Sequence, residues 1–324
     1  MGKLFSIGEV LIDFIPLQKG VALKEVIAFE RAPGGAPANV AAAVAKYGQE
    51  AEMISKLGTD AFGDFLVEQL TKVGVQTNKI LRTSEANTAL AFVSLQNNGE
   101  RDFSFYRNPS ADMLLGEEEI DPQWFQAGDI LHFCSVDLVE SPMKHAHKKA
   151  IKAVSNAGGI VSFDPNVRLP LWKNKADCRQ AILEFIPFAD IVKVSDEELE
   201  FITGIENEEK ALQSLFIGNV KAVVFTKGAS GASLILRGKQ YTSSGYSVEV
   251  KDTTGAGDAF IGGFLFKLLE LQATPEKVEE ILQHHQAEIL SFANASGALT
   301  TTEKGAISAL PTKEEIELLI AQNK

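Results

Sequence analysis

Apolar and polar positions along the chain fall into blocks whose period switches between two and about 3.6. Residues 3–15 intersperse apolar side chains with Gly8, Glu9 and Asp13, which predicts one buried strand with an acid near its C-terminal end. Residues 20–31 predict a short exposed excursion. Gly34-Gly-Ala-Pro-Ala-Asn39 opens a predicted helix of small residues that runs through Tyr47 and stops at Gly48. A strand over 51–57 follows, and Asp60 is placed to cap a helix ending at Gly74. Residues 88–96 and 101–107 are alternating runs joined by Asn97-Asn-Gly-Glu100, where Asn98-Gly99 is a strong hairpin signal.

The two periods then alternate again. Strands are predicted at 129–134, 159–163, 191–194 and 222–225, with helices at 142–157, 176–186 and 196–203. Residues 231–250 read as short antiparallel strands, followed by two long helices and a C-terminal helix from Lys313. This rhythm predicts an α/β fold built on a doubly wound, mostly parallel sheet. A hairpin is out of place in such a sheet. With residues 20–31 it predicts a small β-sheet lid, from about 14–32 and 87–108, on a single domain spanning 1–324.

At 324 residues the chain can bury a full core, and 45% hydrophobic with 23% charged residues is ordinary for a soluble protein. The net charge of −12 argues against a nucleic-acid or anionic-membrane partner, so a phosphate would need a local site. Cys134 and Cys178 lack metal-ligand spacing and are expected to be reduced, buried thiols of a cytoplasmic protein. No apolar run reaches the length of a membrane span, and no leader is expected.

Asp13, Asp164, Arg168, Thr226 and Asp252 all fall at C-terminal ends of predicted strands. Open α/β sheets bind ligands at that edge. The densest chemistry is in Asp252-Thr-Thr-Gly-Ala-Gly-Asp258, which runs straight into the apolar segment 259–271. A helix N-terminus leaves backbone N–H groups unpaired and favours anions, and Gly255 and Gly257 let a ligand come close. Asp258 in the first turn could take the proton of a hydroxyl attacking a bound phosphate. The plainer reading is a glycine-rich loop with Asp258 as an N-terminal helix carboxylate. No Gly-x-x-x-x-Gly-Lys-[Ser/Thr] occurs, so the chain is not a P-loop enzyme, and the dinucleotide fingerprint lacks its third glycine. Phosphoryl transfer fits better than hydride transfer.

These residues resemble the ribokinase-like (PfkB) carbohydrate kinases along nearly the whole chain. Asp252 to Asp258 is similar to that family's C-terminal signature, and Gly34 to Asn39 to its N-terminal one. Phe103-Ser-Phe-Tyr-Arg-Asn-Pro-Ser-Ala-Asp112 and Ile191-Val-Lys-Val-Ser-Asp-Glu-Glu-Leu199 resemble the fructokinase branch. The resemblance implies an ATP-dependent sugar kinase making D-fructose 6-phosphate, or a kinase for 2-keto-3-deoxygluconate, another ketose or a nucleoside. Asp258 would be the base, and Gly255, Ala256 and Gly257 the anion hole. Asp13, Gly34, Gly35 and Asn39 would hold the sugar, with Arg107 and Phe103 or Tyr106 closing over it and Arg168 approaching it. Lys193, Thr226, Gly228, Gly231, Gly257 and Asn294 would meet the nucleotide.

Glu198 would hold Mg2+ through water. Asp252 and Thr254, with backbone near Thr300, Glu303 and Gly305, would form a K+ site. Two departures stand out: Ser195 replaces the asparagine of the family's Asn-x-x-Glu metal motif, and Ala309 stands where cation sites often offer a hydroxyl. A homodimer through apolar lid faces such as Leu90, Phe92 and Phe103 is also expected.

Each residue has a plainer alternative. Asp13 could be a strand-end turn acid, Arg107 a solvated edge-strand residue, and Glu197-Glu198 a solvated helix start. His145 and His147 lie among lysines on different helix faces and read as surface residues; His284-His285 read as solvated or as a packing pair.

Overall fold

Residues 3–15, expected to be one strand, are two strands in two different sheets. β1 (Leu4–Ile7) lies inside the large sheet, while β2 (Leu11–Pro16) belongs to a small one. The break is at Gly8, whose φ of +149° few other residues adopt. A Cβ there would lie 2.6 Å from the Pro37 ring and 2.8 Å from an Asp137 carboxylate oxygen. The structure, a computed structural model, describes residues 2–18, 20–95 and 101–323, with 94–95 and 101–103 described by backbone alone. The Asn98-Gly99 turn lies outside the described residues.

After β2 come β3 (Phe29–Gly34), α1 (Ala36–Lys46), β4 (Ala51–Gly58), α2 (Ala61–Lys72), β5 (Gln76–Thr83), β6 (Leu90–Leu95) and β7 (Arg101–Tyr106). The middle of the chain supplies β8 (Ile130–Cys134), α3 (Pro142–Asn156), β9 (Ile160–Asp164), α4 (Lys175–Phe185), β10 (Ile191–Ser195), α5 (Asp196–Thr203) and α6 (Glu208–Ser214). β11 (Ala222–Thr226), β12 (Ala232–Leu236), β13 (Lys239–Ser243), α7 (Ala256–Glu270), α8 (Val278–Thr300) and α9 (Lys313–Gln322) complete it.

Nine strands form the large sheet, in the order β13-β12-β11-β10-β9-β8-β1-β4-β5. Every pairing from β5 to β11 is parallel, and β12 and β13 pair antiparallel. Successive residues of a central strand enter opposite cores. Leu4, Ile130 and Ile160 pack with α1, α7 and α8, while Phe5, Leu131 and Val161 pack with α3 and α4. Burial on both faces explains why these strands read as continuous apolar runs. β5 has a single buried residue, Ile80, so it carries no strand pattern to read. The short α6 was also not legible. Asp60 caps α2 as expected, accepting from Phe62 N and Gly63 N at 3.0 and 2.9 Å.

The small sheet has the order β3-β2-β6-β7 and takes in 11–16, 29–34, 90–95 and 101–106, with β2–β6 parallel and the other pairs antiparallel. Leu90 and Phe92 do not form an open face. Phe92 stacks on Phe14 at 4.7 Å, and Phe14 meets Phe62 of α2. His147 is another correction: it is fully buried, bonded to the Met143 carbonyl at 2.8 Å. Among the described residues no helix is long and apolar enough to cross a membrane.

Candidate active site

α1 and α7 meet through small residues at their crossing. A Cβ on Gly262 would lie 2.6 Å from the Ala43 methyl. That approach lets Asn39 of α1 donate its amide to Asp258 Oδ2 at 2.8 Å, across 219 residues of sequence. Asn166, in the loop after β9, donates to Asp258 Oδ1 at 3.1 Å. Each carboxylate oxygen therefore receives one amide. Burial pushes Asp258 above the usual carboxylate value, although both amides and the charges of Arg168 and Lys193 pull it back.

Asp258 sits in the first turn of α7, whose N-cap, Gly255, has a φ of +73° that glycine adopts without strain. A Cβ on Gly255 would strike the Ala306 methyl at 2.6 Å. The amide of Ala256 makes a long 3.3 Å bond to the Thr253 carbonyl, and the turn otherwise presents the helix's positive end. Lys193 of β10 points into the same place, with its Nζ 3.5 Å from where a Gly257 Cβ would be. Lys193 is buried and paired with Asp164 at 2.9 Å. Burial works against its charge, but Asp164 and Glu198 outweigh that and hold its pKa above the usual lysine value. Burial raises Asp164 to about 6. A fixed ammonium and a helix N-terminus converge beside a carboxylate held between two amides, a set suited to steadying a phosphoryl group while a proton is removed nearby.

Glu198 accepts from Val167 N at 2.7 Å and from Ser195 N and Oγ at 3.0 and 2.9 Å. Ser195 therefore serves Glu198 as a capping partner, which accounts locally for a serine at that position. Burial would raise Glu198, but Lys193 and these donors bring it below the ordinary value. Among the described residues no three metal-binding side chains converge. The carboxylates of Glu198 and Asp164 suit an ion that keeps its waters, as Mg2+ does.

Where β3 runs into α1, Gly34 leaves no room for a side chain: a Cβ would lie 2.1 Å from Asp13 Oδ2. Gly35 has a φ of +108°, and a Cβ would lie 2.3 Å from the Glu9 carbonyl. Strand alternation separates the expected lid residues. Asp13 pairs with Ala91, and Ala91 with Phe105, so Phe105 shares the face of Asp13. Tyr106 lies on the opposite face with Leu90 and meets Phe92 at 5.2 Å. Phe105 was missed by sequence reasoning, and the side chain of Phe103 lies outside the described residues. Arg107 is not a half-exposed lid residue; it is buried against Asp112 and Asp137. Arg168 is exposed and close enough to Asp258 to lower its pKa.

Thr226 ends β11, and Gly228 and Gly231 follow it in a turn with φ of +50° and +100°. Asn294 is buried and donates to the carbonyls of Ser243 and Ser244 at 3.2 Å each, so it fastens the end of β13 to α8. Asp252 accepts from Thr254 N and Oγ1 at 3.0 and 2.7 Å, and from Gly305 N at 3.0 Å. It thereby joins the loop before α7 to the turn after α8. Thr301, rather than Thr300, takes the amides of Lys251 and Asp252 on its carbonyl, and the Glu303 side chain pairs with Lys251. The hydroxyl, carboxylate and carbonyl oxygens gathered here are hard donors of the kind alkali cations take.

Asn166 was also missed by sequence reasoning. Its backbone has a φ of +44°, held by Asp164 Oδ1 accepting its N–H at 3.1 Å. The signal was present in Asp164-Pro-Asn166, a strand-end stretch with an asparagine tolerant of that conformation.

The chain is 43% identical over 322 residues to "Probable fructokinase-4" of Arabidopsis thaliana, covering 99% of this chain and 97% of the relative. A fructokinase from Xylella fastidiosa with bound ATP superposes with a TM-score of 0.89 at 34% identity, over 99% and 98% of the two chains. A double mutant of the fructokinase of Vibrio cholerae O395, in a fructose, ADP and potassium ion bound form, gives a TM-score of 0.87 at 34% identity, over 99% and 98%. The family model "pfkB family carbohydrate kinase" matches residues 1–313, and the chain belongs to that family.

Proposed function

We propose that this protein is an ATP-dependent fructokinase, moving the γ-phosphoryl group of ATP to D-fructose to give D-fructose 6-phosphate and ADP. The observation that carries the reading is Asp258, buried between Asn39 and Asn166 at the N-terminus of α7 beside Lys193. The kinship to fructokinases that bind ATP, or fructose with ADP, supplies the substrates. Asp258 accepts the proton of the attacking sugar hydroxyl, while Asn39 and Asn166 keep its carboxylate aimed and favour its charged form against burial. The first turn of α7 and Lys193 stabilise charge on the transferred group.

Asp13, Gly34, Gly35 and Asn39 orient the sugar, and the small sheet with Phe105 acts as a lid that keeps water from the phosphate. Glu198, with Asp164 beside it, would hold Mg2+ through water, and the loop of Asp252 and Thr254 would hold K+. When bound, these ions neutralise phosphate charge. The protein is expected to work in the cytoplasm, and as a homodimer through the small sheet, where Leu17, Ile27 and Tyr106 are exposed.

The test is a coupled ADP assay over fructose, other ketoses, 2-keto-3-deoxygluconate and nucleosides. Fructose is expected to give the highest kcat/KM. No turnover of fructose at millimolar concentration would overturn the reading.

A further inference from the structure

Four passages of chain join the small sheet to the main body: residues 8–10, Gly35, residues 84–89, and residues 107–129. Three of them meet in one buried cluster. Glu9, in the first passage, is 3% exposed and accepts the Ala36 amide on Oε1 at 2.9 Å, at the end of the second. The backbones of these two passages also touch, since a Cβ on Gly35 would lie 2.3 Å from the Glu9 carbonyl. In the fourth passage, Arg107 and Asp112 pair with each other, and Arg107 also pairs with Asp137, which follows β8 in the main body. Asp137 also lies against the first passage, since a Cβ on Gly8 would lie 2.8 Å from its Oδ2, and the Glu9 and Asp137 carboxyl groups are near enough to shift each other's pKa. Glu9 Oε2 and Asp137 Oδ2 are buried and meet no N–H donor among the described residues. Two buried carboxyl groups in contact do not both stay charged, so one proton lies between them.

We propose that Glu9 and Asp137 form a proton-sharing carboxyl pair that fixes the hinge between the two sheets, with Glu9 a positioning residue for the acceptor sugar. The proposal rests on the kinase reading of the site. Oε1 of Glu9 anchors the N-terminus of α1, from which Gly34, Gly35 and Asn39 face the sugar. Through Asp137 and Arg107 the same pair carries the end of β7, and so the setting of the lid. Among the described residues no contact of this network reaches Thr226 or Gly228, so the nucleotide side is left alone.

Burial and the charge of Asp137 hold Glu9 well above its ordinary value. Burial also works against Asp137, but Arg107 outweighs it and keeps Asp137 below its own, so the proton rests on Glu9. The other groups facing the pair are Arg107, ion-paired with Asp112 and Asp137; Asp112, which burial also raises although Arg107 pulls it back; His147 of α3, whose charge burial disfavours; and the Cys134 thiol of β8, which burial raises.

A raised carboxyl stabilises the fold fully below its unfolded value of 4.5, and loses that contribution as pH rises through the folded value. Gln carries a permanent donor in the same shape. The experiment compares wild type, E9Q and E9A by steady-state kinetics and by melting from pH 4.5 to 9. E9A is expected to raise KM for fructose at least about fivefold, as a buried hydrogen bond left unmade does, with KM for ATP unchanged. E9Q is expected to restore KM for fructose, and to gain in melting temperature over wild type as pH rises above 4.5.

A melting difference between E9Q and wild type that is flat with pH would overturn the shared proton. An E9Q that behaves as E9A, or an E9A that raises both KM values alike, would overturn the positioning role. A wild-type chain inactive on fructose would count against the kinase reading instead, and the melting series would then decide the carboxyl pair alone. The same series decides if E9A does not fold.

Discussion

Asp258 has a supporting amide on each oxygen, and the two amides come from elements that are distant in sequence. Replacing it with asparagine removes the proton acceptor while leaving the first turn of α7 in place. D258N is expected to lose roughly 10²–10⁴-fold in kcat, the range a positioned base supplies, with ATP affinity kept; single-turnover kinetics and nucleotide titration measure the two. The Asn166 amide lowers the pKa of Asp258. N166A therefore raises that pKa further. Because the base must be ionised, activity falls as pH drops through the pKa, so the acid limb of the kcat/KM profile is expected at higher pH in N166A than in wild type. An unmoved limb would remove Asn166 from this role. Asp258 and Asn39 could be found from their motifs. Asn166 was signalled only as part of the strand-end turn Asp164-Pro-Asn166; that it meets Asp258 depends on a left-handed φ and on the side chain of Asp164, neither of which leaves a periodic trace.

At the level of elements, β7 shows how period alone can mislead. Residues 103–106 are rich in aromatics, and nothing in their spacing says which face meets the sugar. The register with β6 and β2 puts Phe105 on the face of Asp13 and Tyr106 on the other. F105A is therefore expected to raise KM for fructose several-fold, as lost apolar cover of a bound ligand would. Y106A is expected to leave KM close to wild type, and steady-state kinetics on fructose distinguish the two. The reverse order would mean the small sheet presents its other face. Similarly, residues 3–15 kept an apolar pattern across Gly8 because both halves are buried, one in each sheet. Pattern reports burial, and it does not report which sheet does the burying.

Across the whole molecule, the residues of the proposed site come from the large sheet, its helices and the small sheet. If the lid reading holds, fructose with a nucleotide analogue should slow amide hydrogen exchange in 11–34 and 90–95 far more than in β8 to β11. The central strands are already fully buried, so ligand has little left to protect there. Uniform slowing over both sheets would argue for global stabilisation without closure.

The sequence by itself determined the α/β class, most of the parallel strands, the capped α2, and the two glycine-rich signatures that bracket the site. All of these are local or periodic, and depend on burial, turn chemistry and helix ends that nearby residues decide. Only the tertiary structure decided that Arg107 turns inward to Asp112 and Asp137, that Asn294 fastens β13, that His147 is core, that Glu9 takes the Ala36 amide and that Asn166 reaches Asp258. Each of those depends on which passages of chain meet in space, and a contact between residues far apart in sequence leaves no spacing to read.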